Sequence, residues 1–301
     1  MTAPFRIVLF VEEEGGDWHA RRLANAMENR GAEVVVTTLT RCAFDTTTPS
    51  GLDIPGFDGQ LPDGAFVRSI SAGGLEQITF RLGILHALRI SGVRVWNDAR
   101  AIERCVDKST ATFLFRRAGL PTPETRAVEG QPGAIAYCDT AGRPIVVKPL
   151  FGSQGNGIMK ADTAADLPAP EAIGNVYYMQ PYLRAADATE FEDWRVFISC
   201  GRILSAMVRR SSSWITNVHQ GAEPVAHLPC YEMQRLALAA TKTVGADYAG
   251  VDLIRGPDGE LLVLEINSNP AWKGLQSVTD ADIAATLADD FLIALRSMPR
   301  R

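Results

Sequence analysis

Two apolar runs, Gly250-Val251-Asp252-Leu253-Ile254 and Leu261-Leu262-Val263-Leu264-Glu265-Ile266, flank the turn sequence Gly256-Pro257-Asp258-Gly259. Runs of this length around such a turn predict a β-hairpin. The hairpin carries charge in its apolar stretches. Asp252 lies inside the first run, Glu265 near the end of the second, and Asn267 two residues beyond Glu265. Side chains two apart on a strand share a face, so two carboxylates and an amide oxygen converge on one place. Hard oxygen donors of this kind suit a Mg2+ ion that also holds nucleotide phosphates. The plainer alternative is a solvated hairpin edge with surface charges. Against it, Glu265 follows Leu261 to Leu264 and precedes Ile266, where an unpaired buried carboxylate is costly.

The chain has 301 residues, 46% hydrophobic and 22% charged, with a net charge of −5. That suits an ordinary globular protein of about two domains, or three small ones. The basic pairs Arg21-Arg22, Arg116-Arg117 and Arg209-Arg210 are too sparse for a nucleic-acid footprint. No apolar stretch reaches the length of a membrane span. Phe5 to Val11 lacks the basic start and cleavage site of a signal peptide. The five cysteines, Cys42, Cys105, Cys138, Cys200 and Cys230, are scattered without metal-ligand spacing. They read as reduced thiols of a cytoplasmic protein.

Residues 5–11 read as a strand, 17–30 as a helix with Asp17 as N-cap, and 33–38 as a second strand. This β-α-β start predicts a parallel sheet. It lacks the G-x-G-x-x-G of a dinucleotide site, which argues against an oxidoreductase; Gly15-Gly16 reads as a turn. Residues 45–64 form a loop rich in Thr, Pro, Gly and Asp, and 66–68 a short strand. A helix at 75–91 and a strand at 93–96 complete an α/β domain over 1–98. Residues 99–118 read as a helix closed by Gly119, although Asp107-Lys108-Ser109 is itself a helix-opening sequence. Strands follow at 145–149, 176–180, 194–200 and, after a Gly201-Arg202 turn, 203–210. An amphipathic helix spans 230–246, and a last helix 280–297 starts from Asp280.

The strand Ile145-Val146-Val147-Lys148-Pro149 runs into a loop with Gly152, Ser153, Gly155 and Gly157. Such a loop can turn backbone N–H groups toward an anion, or simply close a β-hairpin. Gly152 and Gly157 have P-loop spacing, but Ile158-Met159 stand where Lys-Ser/Thr is required, so it is not a Walker A motif. Lys148 in an otherwise apolar strand must pair or snorkel. Lys108 could meet a phosphate from its helix start. Arg195, inside a strand, and Arg209, at the end of the next, offer rigid forks for phosphate or carboxylate, or for a structural ion pair.

In this order the chain resembles the ATP-grasp superfamily, and within it the RimK-like glutamate ligases. The matching stretches are Asp107-Lys108; Val146-Val147-Lys148-Pro149 with the glycine loop; Gln180-Pro181-Tyr182-Leu183; Asp193-Trp194-Arg195-Val196-Phe197; Met207-Val208-Arg209; Thr216-Asn217; and Ala249-Gly250-Val251-Asp252 with Leu264 to Pro270. Arg68, Gly73-Gly74, Phe80-Arg81-Leu82 and Val95-Trp96-Asn97 are similar to the branch that adds glutamate to tetrahydromethanopterin. Pro181 and Val208 stand where the family often carries Glu.

The resemblance implies a mixed α/β and α+β protein of ATP-grasp fold. An N-terminal Rossmann-like (pre-ATP-grasp) domain, 1–98, would precede two α+β subdomains, 99–184 and 185–301, enclosing the ATP cleft. It implies that Lys108, Lys148, Gly152, Ser153, Gly155, Gly157 and Arg195 hold phosphates, with Gln180, Pro181, Tyr182 and Leu183 beside adenine. Asp252, Glu265 and Asn267 would bind two Mg2+ ions, or Mn2+ in their place. Arg209 and Asn217, with Lys148, would serve the reacting groups. The expected activity is ATP-dependent ligation of L-glutamate to a carboxylate acceptor, a one-carbon cofactor or a peptide tail, in a homo-oligomer, with no nucleic-acid or membrane partner. The alternatives are another amino acid or amine as substrate, and a nucleotide-binding regulator without catalysis. Acceptor-dependent ADP release separates the last from a ligase. Substrate choice is expected from residues 15–20, 68–81 and 209–221.

Overall fold

The computed structural model describes residues 3–152, 155–183 and 190–298. They form two compact units. Unit 1 gathers residues 1–102, 246–248 and 269–301, and unit 2 gathers 103–245 and 249–268. The expected domains follow chain order, whereas these units do not, because residues 269–301 return to the N-terminal sheet.

Unit 1 begins with β1 (Arg6–Val11), α1 (Trp18–Glu28) and β2 (Glu33–Thr38). Asp17 caps α1 by accepting from the Ala20 amide. Residues 45–64 are not wholly irregular. β3 (Ala43–Phe44) pairs antiparallel with β4 (Leu52–Asp53). β5 (Gly64–Val67), α2 (Leu75–Ile90) and β6 (Arg94–Trp96) complete a sheet of order β2-β1-β5-β6, with every pairing parallel. The core under α2 joins Val8, Phe10, Ile84, Leu85 and Leu88. The last helix of the chain buries Leu287, Phe291 and Leu295. Phe291 meets Phe66 and Trp96 edge-on, and Asp282 and Asp289 pair with Arg22 of α1 and Arg30 just past its end.

The predicted helix 99–118 is two helices, α3 (Ala99–Val106) and α4 (Lys108–Arg117). Asp107 ends one and opens the other: its carboxylate accepts from the Ser109 and Thr110 amides, which favours a fresh N-cap over continuation. Unit 2 then has two sheets. The first contains β7 (Arg126–Glu129), β8 (Ile145–Pro149), β9 (Met159–Ala161) and β10 (Val176–Pro181), in the order β7-β10-β8-β9, with α5 (Gln131–Ala141) packed on it. The second contains β11 (Phe191–Ser199), β12 (Arg202–Ser211), β13 (Glu223–Ala226), β14 (Tyr248–Arg255) and β15 (Leu261–Asn267), in the order β13-β12-β11-β14-β15. α6 (Tyr231–Val244) follows β13. α7 (Lys273–Gln276) and α8 (Ile283–Arg296), the last helix, follow β15. The β11–β12 turn falls one residue earlier than expected, at Cys200-Gly201, both with positive φ, the conformation that suits a tight hairpin. Asp282 rather than Asp280 caps α8.

Candidate functional site

Alternation along the strands of the second sheet builds one charged row. Asp193 and Arg195 are two apart on β11 and so share a face. Arg209 on β12 is the register partner of Asp193. β14 lies on the other side of β11 and contributes Asp252, which stands opposite Glu265 of β15, while Gly250 faces Asn267. A β-bulge follows immediately: Leu253 pairs with Val263, leaving Leu264 as the extra residue. Asp252, Glu265 and Asn267 therefore occupy neighbouring positions on one face.

The row is held by charge-assisted hydrogen bonds. Arg209 Nε and Nη2 donate to Asp193 Oδ1 and Oδ2 at 2.6 and 2.5 Å. Arg195 Nε and Nη2 donate to Asp252 Oδ1 and Oδ2, both at 2.7 Å. Arg209 also lies 2.9 Å from Asp252. Burial pushes the Asp252 carboxyl up, but the Arg195 and Arg209 guanidiniums outweigh it and hold the group below the usual carboxylate range. Asp193 was visible in the sequence only as part of a motif. Its pairing across the hairpin makes it a member of the site.

Lys148 sits on β8, 7% exposed. Its ammonium donates to Gln180 Oε1 at 2.8 Å. Gln180 Nε2 donates to the Tyr178 hydroxyl (2.8 Å) and to Thr125 (3.0 Å), and Tyr178 also bonds Thr112. Sequence reasoning missed these three hydroxyls, which look like ordinary core residues along the chain. Burial pushes the Lys148 pKa down to about 8, against the opposing pull of Glu265. Lys108 is shifted the same way by burial, again opposed by Glu265. Its ammonium donates to the carbonyls of Leu150 and Gly152, at 3.3 and 2.9 Å, so it tethers the start of the glycine loop.

The loop joins β8 to antiparallel β9. Gly155 and Gly157 have φ near +74° and +71°. A Cβ on Gly155 would lie 2.7 Å from Gln220 Nε2, and one on Gly157 2.8 Å from Pro149. Ser153 lies outside the described residues. Pro181 ends β10. Tyr182 donates its amide to the Pro144 carbonyl, stacks edge-on with Trp214 and lies under the Lys160 ammonium; half-buried Leu183 follows. Asn217 accepts from the His219 amide at 2.8 Å and caps a short 3-10 turn.

The row fits a hard divalent ion. Two carboxylates and an amide are oxygen donors. Among the described residues the buried Asn267 Nδ2 has no hydrogen-bond partner, and turning the amide over would present its oxygen at that point. Among the described residues no three His, Cys, Asp or Glu side chains form a metal cluster. Two carboxylates and one amide suit Mg2+, which keeps water and phosphate as its other ligands. No described helix is long and apolar enough to cross a membrane.

A family model described as the RimK-like ATP-grasp domain matches residues 105–291. The chain is 31% identical over 293 residues to a tetrahydromethanopterin:alpha-L-glutamate ligase of Methanococcus maripaludis, covering 93% of this chain and 96% of that protein. It is 31% identical to a probable alpha-L-glutamate ligase 2 of Hahella chejuensis, covering 89% of each. The structure of the ATP-grasp ligase PsnB with minimal precursor, Mg and ADP superposes with a TM-score of 0.71 at 21% identity, over 97% of this chain and 98% of that one. At that identity the likeness establishes the ATP-grasp fold.

Proposed function

The chain belongs to the RimK-like ATP-grasp family, and on that premise we propose that it is an ATP- and Mg2+-dependent ligase that joins L-glutamate to a carboxylate acceptor through an amide bond. The observation that carries this reading is the match to a tetrahydromethanopterin:alpha-L-glutamate ligase over 93% of this chain and 96% of that protein. The charged row of the second sheet supports it.

The chemistry needs no side-chain nucleophile. The acceptor carboxylate attacks the γ-phosphorus of ATP, giving an acyl phosphate and ADP. The glutamate amine then displaces phosphate, losing a proton as the amide forms. The chain must neutralise phosphate charge, align the donors and exclude water. Lys148 and Lys108 are our candidates for phosphate binding, with the glycine loop, including Ser153, closing over the nucleotide and Arg195 beside it. Gln180 fixes the Lys148 ammonium, and Pro181, Tyr182 and Leu183 would flank adenine. Arg209, braced by Asp193, would hold negative charge on the reacting carboxylate, with Asn217 in the adjoining loop. Asp252, Glu265 and Asn267 would hold Mg2+, which supplies charge neutralisation when bound; two ions, and Mn2+ as a substitute, belong to the same proposal. Cytoplasmic location, homo-oligomeric assembly and the functional partition 1–98, 99–184 and 185–301 also belong to it.

The test supplies ATP, Mg2+ and L-glutamate with a panel of pterin, furan and peptide acceptors, and reads product mass and ADP. We expect a glutamyl adduct formed with stoichiometric ADP. Turnover with a different amino acid and none with glutamate would overturn the assignment, and nucleotide binding without acceptor-dependent ADP release would point to a regulator.

A further inference from the structure

Unit 1 carries buried charge that the nucleotide chemistry does not use. Its parallel sheet runs β2-β1-β5-β6. The chain moves from β1 outward to β2 on one side and from β5 outward to β6 on the other, so the switch point lies between β1 and β5. Open parallel sheets bind ligands beyond the C-terminal ends of their strands at such a point. Here β1 leads through residues 12–16 into α1, and β5 leads through 68–74 into α2.

Two arginines mark this end of the sheet, Arg68 at 5% exposure and Arg81 at 6%. Arg68 donates to Asp17 and to the Asn269 carbonyl, both at 3.2 Å, and lies over the Trp272 ring. Among the described residues its buried Nε has no hydrogen-bond partner. Asp17 is half-exposed and already accepts from the Ala20 amide and the His19 ring. Arg81 folds back from α2 and, among the described residues, donates to neutral carbonyls, those of Ser71 (2.7 Å) and Ala72 (3.1 Å). Among the described residues it meets no carboxylate. A buried guanidinium without a counter-charge is costly.

The backbone beside it has unspent donors. Gly74, the N-cap of the 16-residue α2, has no side chain to accept from the first turn. Gln77 reaches back only to the Gly74 amide, at 3.0 Å, so the amides of residues 75–77 keep the free donors of a helix start. The carboxylates of the loop after β1 and of the first turn of α2, Glu12, Glu13, Glu14 and Glu76, are all exposed, where water and salt screen them.

We propose that residues 68–81 form an oxyanion-binding subsite, in which Arg81 and Arg68 supply charge and the first-turn amides of α2 supply hydrogen bonds, and that it holds a carboxylate or phosphate group of the acceptor. Only the assignment to an acceptor rests on the ligase reading. Gly73 is part of the device: a Cβ there would lie 2.9 Å from Arg81 Nη1 and 2.6 Å from Gln77 Oε1, so a side chain would push the guanidinium aside.

The test titrates the full isotopically labelled chain with inorganic phosphate and, separately, with glutarate, in the absence of ATP and glutamate, and follows the backbone amides. Saturable shifts centred on residues 71–77 are expected. Binding should weaken at least tenfold in Arg81→Gln and measurably in Arg68→Lys, with melting curves reporting that each variant folds. If Arg81→Gln does not fold, Gly73→Ala, which displaces the guanidinium without removing it, takes its place. Tighter phosphate binding identifies a phosphate-bearing acceptor and tighter glutarate binding a carboxylate-bearing one. No saturable shift with either probe, or undiminished binding in a folded variant, overturns the proposal. Because no ligation is read, a failed ligase assay leaves this result standing, and the reverse holds too.

Discussion

Arg209 grips Asp193 across the β11–β12 pair with two parallel hydrogen bonds, and the same guanidinium touches Asp252 one strand further on. Arg209 is thus oriented from the side of the sheet that carries the proposed metal ligands. Its position depends on a carboxylate that has no proposed contact with substrate.

Removing that carboxylate separates support from chemistry. Asp193→Ala leaves a buried guanidinium short of a partner, and breaking one side of a buried pair costs about 3–5 kcal/mol. We expect urea unfolding to show a loss of this order, with ligase activity falling further than ATP affinity. Unchanged stability would mean that Asp252 alone satisfies Arg209.

Glu265 tests the metal reading more cleanly than Asp252, because Asp252 is also ion-paired to Arg195 and Arg209. We expect Glu265→Gln to keep its far-UV circular dichroism and to lose ADP formation on the order of 100-fold at saturating Mg2+. A chelator should silence the wild-type chain and added Mg2+ should restore it. Full turnover by the variant at high Mg2+ would remove Glu265 from the site.

Gly155 sets the entry of the glycine loop. Its φ of +74° costs a side-chain-bearing residue about 1–2 kcal/mol, and the added Cβ would press on Gln220 and Ile215. Gly155→Ala should raise the KM for ATP several-fold while the melting temperature falls only slightly. An unaltered KM would leave the loop a plain hairpin connection.

What the chain revealed in advance follows from local physics. Strand alternation places Asp252, Glu265 and Asn267 together, and the Gly256–Gly259 turn closes as expected, with the Gly259 amide bonded to the Gly256 carbonyl. The ion pairs were out of reach. Arg195 and Asp252 are 57 residues apart, and they meet only because β14 inserts beside β11, an order that no periodicity encodes. The split at Asp107 is legible in the helix-opening Asp107-Lys108-Ser109, but Gly119 is the stop signal that sets the expected end of a single helix. The polar bed of Lys148, Tyr178 with Thr112 and Thr125, looks in sequence like any core strand and helix. The return of α8 to unit 1 depends on Phe291 finding Phe66 and Trp96, a tertiary fact.

Lys148 gives the sharpest pH test. Burial lowers its pKa from 10.5 to about 8, with Glu265 pulling the other way. The folded chain therefore releases this proton near pH 8, whereas the unfolded chain keeps it to about pH 10.5. Between those values the unfolded state binds more protons, so this group's contribution to stability rises with pH; below pH 8 the full penalty, about 3 kcal/mol, is present. Lys148→Met removes the penalty and also the Gln180 bond, so no net loss of stability is expected at pH 7. Phosphate binding needs the charged form and restores it. ATP should therefore bind with proton uptake at pH 8–9, and its affinity should fall as pH rises through 8. Calorimetry in two buffers of different ionisation heat measures that uptake. An affinity independent of pH from 7 to 9.5, or the same pH profile in Lys148→Met, would show that this ammonium does not meet the nucleotide.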